Sequence, residues 1–189
     1  LVHQGWRIKP ELIPADLPEG VLNQIWRETG LRLKAVVDQL DFANFPQRGY
    51  RVTAELLHGR QPGPDVKSAS FRRVELQATG VKSWGAHTLN LHARLFDADQ
   101  PEDSTQGPYG LGGFQQLSGY KPNQLLGQTL AFARASYYMR LRETPVLTRG
   151  FFIGGSLEAG NAWDQRSDAS LRGLRTAMSL FVGADTGVG

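Results

Sequence analysis

The chain has 189 residues, of which 40% are hydrophobic and 21% are charged, with a formal net charge of +3. This length fits one domain, the near balance of 21 basic and 18 acidic residues gives no indication of nucleic-acid binding, and the absence of cysteine excludes disulfide and thiolate chemistry. The sequence has no apolar run long enough for a transmembrane helix, and its first ten residues lack the charged and apolar regions of a signal peptide.

Alternation of apolar and polar residues predicts β-strands along most of the chain. Within residues 84–96, Leu89, Leu91 and Leu95 share one face while Arg94 lies on the other, which is the period of a strand. Turn-forming residues separate such segments. The sequence therefore predicts an all-β antiparallel meander with strands at 31–41, 50–60, 69–79, 84–96, 125–141, 149–162 and 171–185. Residues 1–30 are predicted to be a further strand or a connecting segment.

The segment 125–141 is rich in alanine, which also favours a helix. At a helical period, however, Arg134, Ser136 and Arg140 would not share a face, whereas at period two they do. The alternation therefore favours a strand here as well.

The length and alternation of these segments are typical of transmembrane β-barrels, whose strands cross a bilayer with about 9–11 tilted residues. Aromatic residues near several strand ends suit the interfacial girdles of such barrels. A soluble antiparallel barrel or sandwich has the same period, because alternation does not say whether the apolar face meets lipid or a protein core. The pattern alone leaves both architectures open.

A glycine-rich segment precedes the strand predicted at 125–141. It contains LGGF at 111–114 and LSGY at 117–120, and GFFIGGSLEAGNAW follows at 150–163. Together with DQLDFANFPQRGY at 38–50, these motifs resemble the bacterial surface-antigen family. This family comprises the C-terminal barrels of outer-membrane assembly factors, two-partner-secretion translocators and patatin-like phospholipases, and the motifs look most like the patatin-linked branch. The resemblance covers about residues 31–185.

The resemblance implies a sixteen-stranded transmembrane β-barrel of the outer membrane, of which residues 31–189 supply a part. It also implies that residues 97–124 form an extracellular loop folded into the barrel lumen. The family loop carries an arginine that packs against a carboxylate of a lumen-facing strand; in this sequence Ser118 stands at the arginine position and Glu158 at the carboxylate position. The predicted loop motif consists of Gly112, Gly113, Phe114, Leu117, Ser118, Gly119 and Tyr120.

Two charged residues are predicted to meet beneath this loop. Arg134 and Glu158 lie on the charged face of neighbouring predicted strands, and a turn centred near Val146 places them opposite each other. Cross-strand pairs of opposite charge stabilise antiparallel sheets. We therefore expect a lumen ion pair between Arg134 and Glu158; the alternative is that both charges face lumen water.

The sequence predicts no catalytic, cofactor or metal site. A patatin-like hydrolase needs a G-x-S-x-G nucleophile elbow, but the nearest string, GGSLE at 154–158, ends in glutamate and lies in a predicted strand. His87 and His92 point to opposite faces of one strand, and the acidic residues at 97–103 lack the spacing of a calcium loop. Any hydrolase active site is expected in another part of the parent protein.

The resemblance implies a non-enzymatic domain in the outer membrane of a Gram-negative bacterium that anchors, displays or translocates an N-terminal patatin-like phospholipase domain. The expected partners are outer-membrane lipid, the remaining strands of the same barrel, and an N-terminal periplasmic or passenger domain, but not nucleic acid. One alternative is the barrel of an outer-membrane protein assembly or translocation factor. Another, of a different class, is a soluble β-barrel that binds small apolar ligands.

Overall fold

A computed structural model describes residues 2–7, 25–42, 44–62, 68–99, 109–144 and 148–186. This part of the chain is all-β and contains no α-helix, and therefore no helix long and apolar enough to cross a membrane. Short 3₁₀ turns lie at Arg166–Asp168 and Leu171–Gly173. The strands are β1 (Val2–Arg7), β2 (Ile25–Asp38), β3 (Arg48–Pro62), β4 (Ser68–Trp84), β5 (His87–Asp99), β6 (Tyr109–Leu111), β7 (Leu125–Gly127), β8 (Thr129–Thr144), β9 (Thr148–Trp163) and β10 (Arg175–Thr186).

The main sheet is an eight-stranded antiparallel meander in the order β1-β2-β3-β4-β5-β8-β9-β10. The strands β6 and β7 form a separate two-stranded sheet within the connection from β5 to β8. The predicted all-β meander is therefore confirmed. Among the described residues the sheet stays open, with β1 and β10 at its edges.

The seven strands predicted from alternation correspond to β2, β3, β4, β5, β8, β9 and β10, but one turn was misplaced. The sequence predicted a turn at 79–83, whereas β4 continues to Trp84 and pairs there with His87. Alternation continues through this segment, and the turn consists of Gly85 and Ala86, with Gly85 at a φ of 60°. A positive φ favours glycine, which explains where the hairpin turns.

Other boundaries also differ from the prediction, and the largest difference is that β2 begins at Ile25 and ends at Asp38, where the sequence predicted 31–41. Residues 125–127 pair with β6, so β8 begins only at Thr129. Residues 171–173 form a 3₁₀ turn in which the Ser170 hydroxyl accepts a hydrogen bond from the Gly173 N–H. Residues 97–99 belong to β5, where Asp97 pairs with Thr129, so the predicted loop 97–124 begins after Asp99. Within residues 1–30, Val2–Arg7 is a strand paired with β2, and residues 8–24 lie outside the described part.

The sheet is curved, and its polar face is the concave one. Phe45, in the turn between β2 and β3, stacks on Phe152 of β9 and lies near Phe181 of β10. These strands are four and five places away from β3 in the sheet, so the sheet must curl for the contacts to form. Residues 109–124 lie on the same concave face. They build a core there with β5 and β8 that consists of Phe96, Ala98, Leu111, Leu117, Leu130 and Phe132.

Candidate functional site: the folded-in loop and the apolar face

Glu158 of β9 binds the tip of the loop 109–124. Its carboxylate accepts hydrogen bonds from the Ser118 N–H (2.6 Å) and the Ser118 hydroxyl (2.9 Å). It accepts a third from the hydroxyl of Ser156 in its own strand. The Glu158 side chain is only 3% exposed, and a buried carboxylate needs such donors to offset the loss of water. The structure therefore brings together residues 118 and 158, and Ser118 supplies two of the hydrogen bonds to the carboxylate.

Arg134 binds the loop from the neighbouring strand. It is the cross-strand partner of Glu158, as the sequence predicted, and its guanidinium Nη1 donates a hydrogen bond to the Gln115 carbonyl (3.0 Å). The ion pairs among the described residues do not include Arg134 with Glu158. The two side chains face each other in register, but Arg134 donates to the loop, and Glu158 accepts from the loop and from Ser156 of its own strand.

The loop tip is a series of tight turns closed by backbone hydrogen bonds. Several of its residues have a left-handed backbone conformation, with a positive φ. The Gly113 N–H donates to the Tyr120 carbonyl, and the Tyr120 N–H donates to the Leu117 carbonyl, both at 3.1 Å. Gly112 has a φ of 132°, and a Cβ at this residue would overlap the Lys121 carbonyl oxygen. No other residue type fits at this position.

Leu117 fixes the loop in the core of the concave face. Its side chain is fully buried although its φ is 71°, a left-handed value that is unfavourable for leucine. Such a conformation persists where the surrounding packing imposes it. Phe114, at 64% exposure, and Tyr120 lie at the margin of the loop, and Gly119 has a φ of 97°.

Sequence reasoning missed two features of this site. Ser156 precedes Glu158 by two residues, so period two places both on one face, and this signal was available in the sequence. Tyr109 stacks on Phe96 with ring centroids 3.5 Å apart, and the Arg94 guanidinium lies over the Tyr109 ring at 5.5 Å. No sequence pattern indicates this contact. Alternation shows which face of β5 is polar, but it does not show which loop residues pack on that face.

The convex face of the sheet is apolar and exposed. Its central side chains reach 51% exposure at Leu91 and 89% at Leu180. The buried polar side chains of the sheet lie on the opposite, concave face and include Arg73, Thr88, Asn90, Ser136, Ser156, Glu158 and Asp185. The large exposed apolar side chains run from β2 to β10 and include Leu31, Leu33, Val37, Tyr50, Leu56, Val74, Leu76, Leu91, Leu95, Tyr137, Phe151, Ile153, Leu157, Met178, Leu180 and Val182. A soluble protein buries its apolar side chains and exposes its charged ones. The two faces of this sheet show the opposite arrangement.

Polar residues bound the convex apolar face at the same spacing in three neighbouring strands. In three strands the bounding residues are ten apart in the sequence: Arg48 and His58 in β3, Arg72 and Lys82 in β4, and His87 and Asp97 in β5. Ten residues span about 33 Å along a strand, which becomes about 25 Å for a strand tilted by about 40°. This height equals the apolar band of outer-membrane barrels, which is about 25 Å tall.

Aromatic side chains gather at one edge of this band, around the β4–β5 hairpin. Trp84 stacks against His87 with ring centroids 6.5 Å apart, and His87 stacks against Tyr137 at 5.9 Å. The His87 Nδ1 and the Tyr137 hydroxyl are hydrogen-bonded at 2.5 Å. Amphipathic rings of this kind are enriched at the boundary between hydrocarbon and water.

Comparison with models of known protein families gives no match to this chain. Comparison with curated proteins gives no significant match either. The surface-antigen resemblance therefore remains a prediction that rests on the motifs.

Proposed function

We propose that this chain is part of a transmembrane β-barrel in the outer membrane of a Gram-negative bacterium, where it anchors, displays or translocates an attached patatin-like phospholipase domain. The observation that carries the proposal is the reversal of the two faces. The convex face exposes leucine, valine and isoleucine from β2 to β10, while the concave face buries polar side chains beneath a folded-in loop.

The membrane part of this proposal follows from the cost of exposing such a face to water. A soluble monomer rarely exposes a contiguous apolar patch larger than a few hundred Å², and this face extends across seven strands. In a bilayer the same side chains meet acyl chains. Strands within the sheet satisfy their backbone groups through both neighbours, which hydrocarbon requires. The edges at β1 and β10 would pair with the remaining strands of the barrel.

The concave face would then be the lumen, and residues 109–124 would be a loop that fills it. The hydrogen bonds from Ser118 to Glu158 and from Arg134 to Gln115 hold this loop from two adjacent strands. A lumen occupied in this way suits an anchor whose passage is closed at rest. The patatin-linked branch is proposed on the motifs at 111–114, 117–120 and 156–163.

The two alternatives fare differently against this geometry. An outer-membrane protein assembly or translocation factor would use the same barrel and the same loop, so it remains the second candidate. A soluble barrel that binds small apolar ligands would need its apolar face to line the interior. The described concave face instead combines buried polar and charged side chains with an apolar core that the folded-in loop already covers, and the uncovered apolar side chains lie on the convex face, which counts against this alternative.

Fractionation of a Gram-negative host that expresses the intact parent protein tests the proposal. We expect the protein in the outer membrane, extractable only with detergent, and migrating differently on gels with and without heating. Phospholipase activity on the surface of intact cells would support the patatin-linked branch, whereas repaired assembly of other outer-membrane proteins would support the second candidate. A monodisperse soluble protein obtained without detergent would contradict both.

A further inference from the structure

The turn between β2 and β3 folds onto the concave face through Phe45. The Phe45 ring stacks on Phe152 with centroids 4.4 Å apart and planes 3° apart, and it meets Tyr138 edge-on at 5.6 Å. Phe181 lies 6.3 Å from the same ring. We name Phe45, Tyr138, Phe152 and Phe181 the aromatic cluster. It joins a turn at one end of the sheet order to strands near the other end.

Specific hydrogen bonds hold this turn in place. The Tyr138 hydroxyl donates to the carbonyl of Pro46, which is buried, and the Ser83 hydroxyl donates to the Gln47 carbonyl at 2.6 Å. The Asp41 carboxylate accepts the Gln47 N–H at 2.9 Å. Side chains of β4 and β8 and of the turn itself therefore hold Phe45 against the concave face.

Two backbone features show that the inward position of Phe45 is selected by the fold. Its φ is 45°, a left-handed value that phenylalanine adopts only where tertiary contacts impose it. Residue 183 of β10 faces the ring and is glycine, and a Cβ at this residue would overlap the Phe45 ring. Release of the turn would relieve the strained φ, which opposes part of the packing energy that holds Phe45 inward.

The aromatic cluster and the residues that hold the loop tip lie in different rows of the concave face, and the two groups meet where the Phe114 ring of the loop approaches the Phe181 ring edge-on at 6.2 Å. Arg134 and Glu158, which hold the loop, form one cross-strand row; Ser136 and Ser156 form the next, and Tyr138 lies one row beyond. Asn90 pairs with Ser136 and extends the middle row. This row is buried between the loop on one side and the aromatic cluster on the other.

The middle row is polar in spite of its burial. Asn90 is 8% exposed and Ser136 is 3% exposed, and within the described part of the chain neither Asn90 Oδ1 nor Ser136 Oγ has a hydrogen-bond partner. Buried polar atoms of this kind are normally paired with protein groups or with ordered water. The composition of this layer fits a compartment that water enters, and not a permanently dry core.

We propose that the turn formed by residues 39–42 and 44–47 is a second closure of the concave face, in series with the loop 109–124, with Phe45 as its plug. The compartment around Asn90, Ser136 and Ser156 opens to water at one end when the loop moves and at the other end when Phe45 moves. Passage through the lumen requires both movements. The idea of a passage rests on the proposed function, because only a barrel gives the concave face a lumen. The closure over Ser136 does not depend on the proposed function.

Cysteine labelling tests the closure directly, because the chain has no native cysteine. A single cysteine introduced by Ser136→Cys should react slowly with a water-soluble maleimide in the purified intact protein. Phe45→Ala should raise the labelling rate on the order of tenfold or more. Gly183→Ala should raise it similarly, because the added methyl displaces the ring without removing it. Gly80→Ala, where a Cβ meets nothing within 4 Å, is the matched control and should leave the rate unchanged.

Conductance in planar bilayers tests the series arrangement. Phe45→Ala alone and Glu158→Gln alone each weaken one closure and leave the other in place, so the remaining closure still limits the conductance. The double variant should conduct several-fold more than either. The second closure is refuted if Glu158→Gln alone reaches the conductance of the double variant. It is also refuted if the cysteine of Ser136→Cys is labelled no faster when Phe45→Ala or Gly183→Ala is added. Should the protein prove soluble without detergent, accelerated labelling would still support the closure, and only the membrane proposal would fail.

Discussion

Glu158 shows how one buried carboxylate can hold a loop without a direct salt bridge. Its acceptor atoms are satisfied by the Ser118 N–H and by the hydroxyls of Ser118 and Ser156. Arg134, the partner expected from the sequence, donates instead to the Gln115 carbonyl. Two neighbouring strands thus hold the loop at two separate points.

Substitution of Glu158 by glutamine should loosen this loop. The glutamine NH₂ would replace one acceptor oxygen in a site whose neighbours are donors, so at least one buried donor loses its partner. We expect a loss of about 1–3 kcal/mol in the free energy of unfolding and faster amide hydrogen exchange at Leu117 and Ser118. Glu55→Gln is the control, because Glu55 pairs with Arg32 and Lys34 in a partly exposed position, where about 0–1 kcal/mol is expected. Equal losses in the two variants would show that Glu158 is not the anchor of the loop.

The sequence could predict the parts of this site that depend on local pattern. The glycines, Ser118 and Glu158 were found through their motifs, and the opposition of Arg134 to Glu158 followed from period two. The Gln115 carbonyl and the ring of Tyr109 could not be found. Their roles depend on how a long loop folds back onto a distant strand, which no local pattern encodes.

At the level of strands, alternation predicted which segments form the meander but not where the β4–β5 hairpin turns. The segment 79–83 contains Thr79, Gly80 and Ser83, which are common in turns, yet its side chains continue the alternation of β4. The inward position of Phe45 was likewise outside the reach of local pattern, because it depends on the curvature of the whole sheet. The strand interiors were therefore predicted better than their ends.

The β4–β5 hairpin should depend on the left-handed conformation of Gly85. Its φ is 60°, and a Cβ there would meet nothing within 4 Å, so Gly85→Ala tests the backbone preference alone. We expect a loss of about 1–2 kcal/mol in the free energy of unfolding in detergent, measured by denaturant titration. Gly85→Asn should lose less, because asparagine tolerates the left-handed region. An alanine variant as stable as the parent would mean that the turn has another conformation.

At the level of the whole molecule, the two faces of the sheet should respond differently to charge. Leu91 lies in the middle of the convex apolar band, whereas Gln77 lies on the concave face of the adjacent strand. In a membrane, Leu91→Arg should cost about 2–4 kcal/mol and lower the amount of protein assembled in the outer membrane. Gln77→Glu, which adds a charge on the concave face opposite Arg94, should assemble normally, because cross-strand charges of opposite sign are compatible. Equal assembly of the two variants would argue against a lipid-facing convex surface.

The most direct test of the membrane assignment is the environment of spin labels on the two faces of the intact parent protein in bilayers. Single cysteines at Leu89, Ala133 and Leu180 place labels on the convex face, and cysteines at Gln77 and Ser179 place them on the concave face. The convex labels should collide often with oxygen, which dissolves in hydrocarbon, and rarely with a water-soluble nickel chelate, while the concave labels should be less accessible to oxygen. Convex labels that are freely accessible to the nickel chelate, or that report a dry protein core in a detergent-free soluble particle, would contradict the proposal that this face meets lipid.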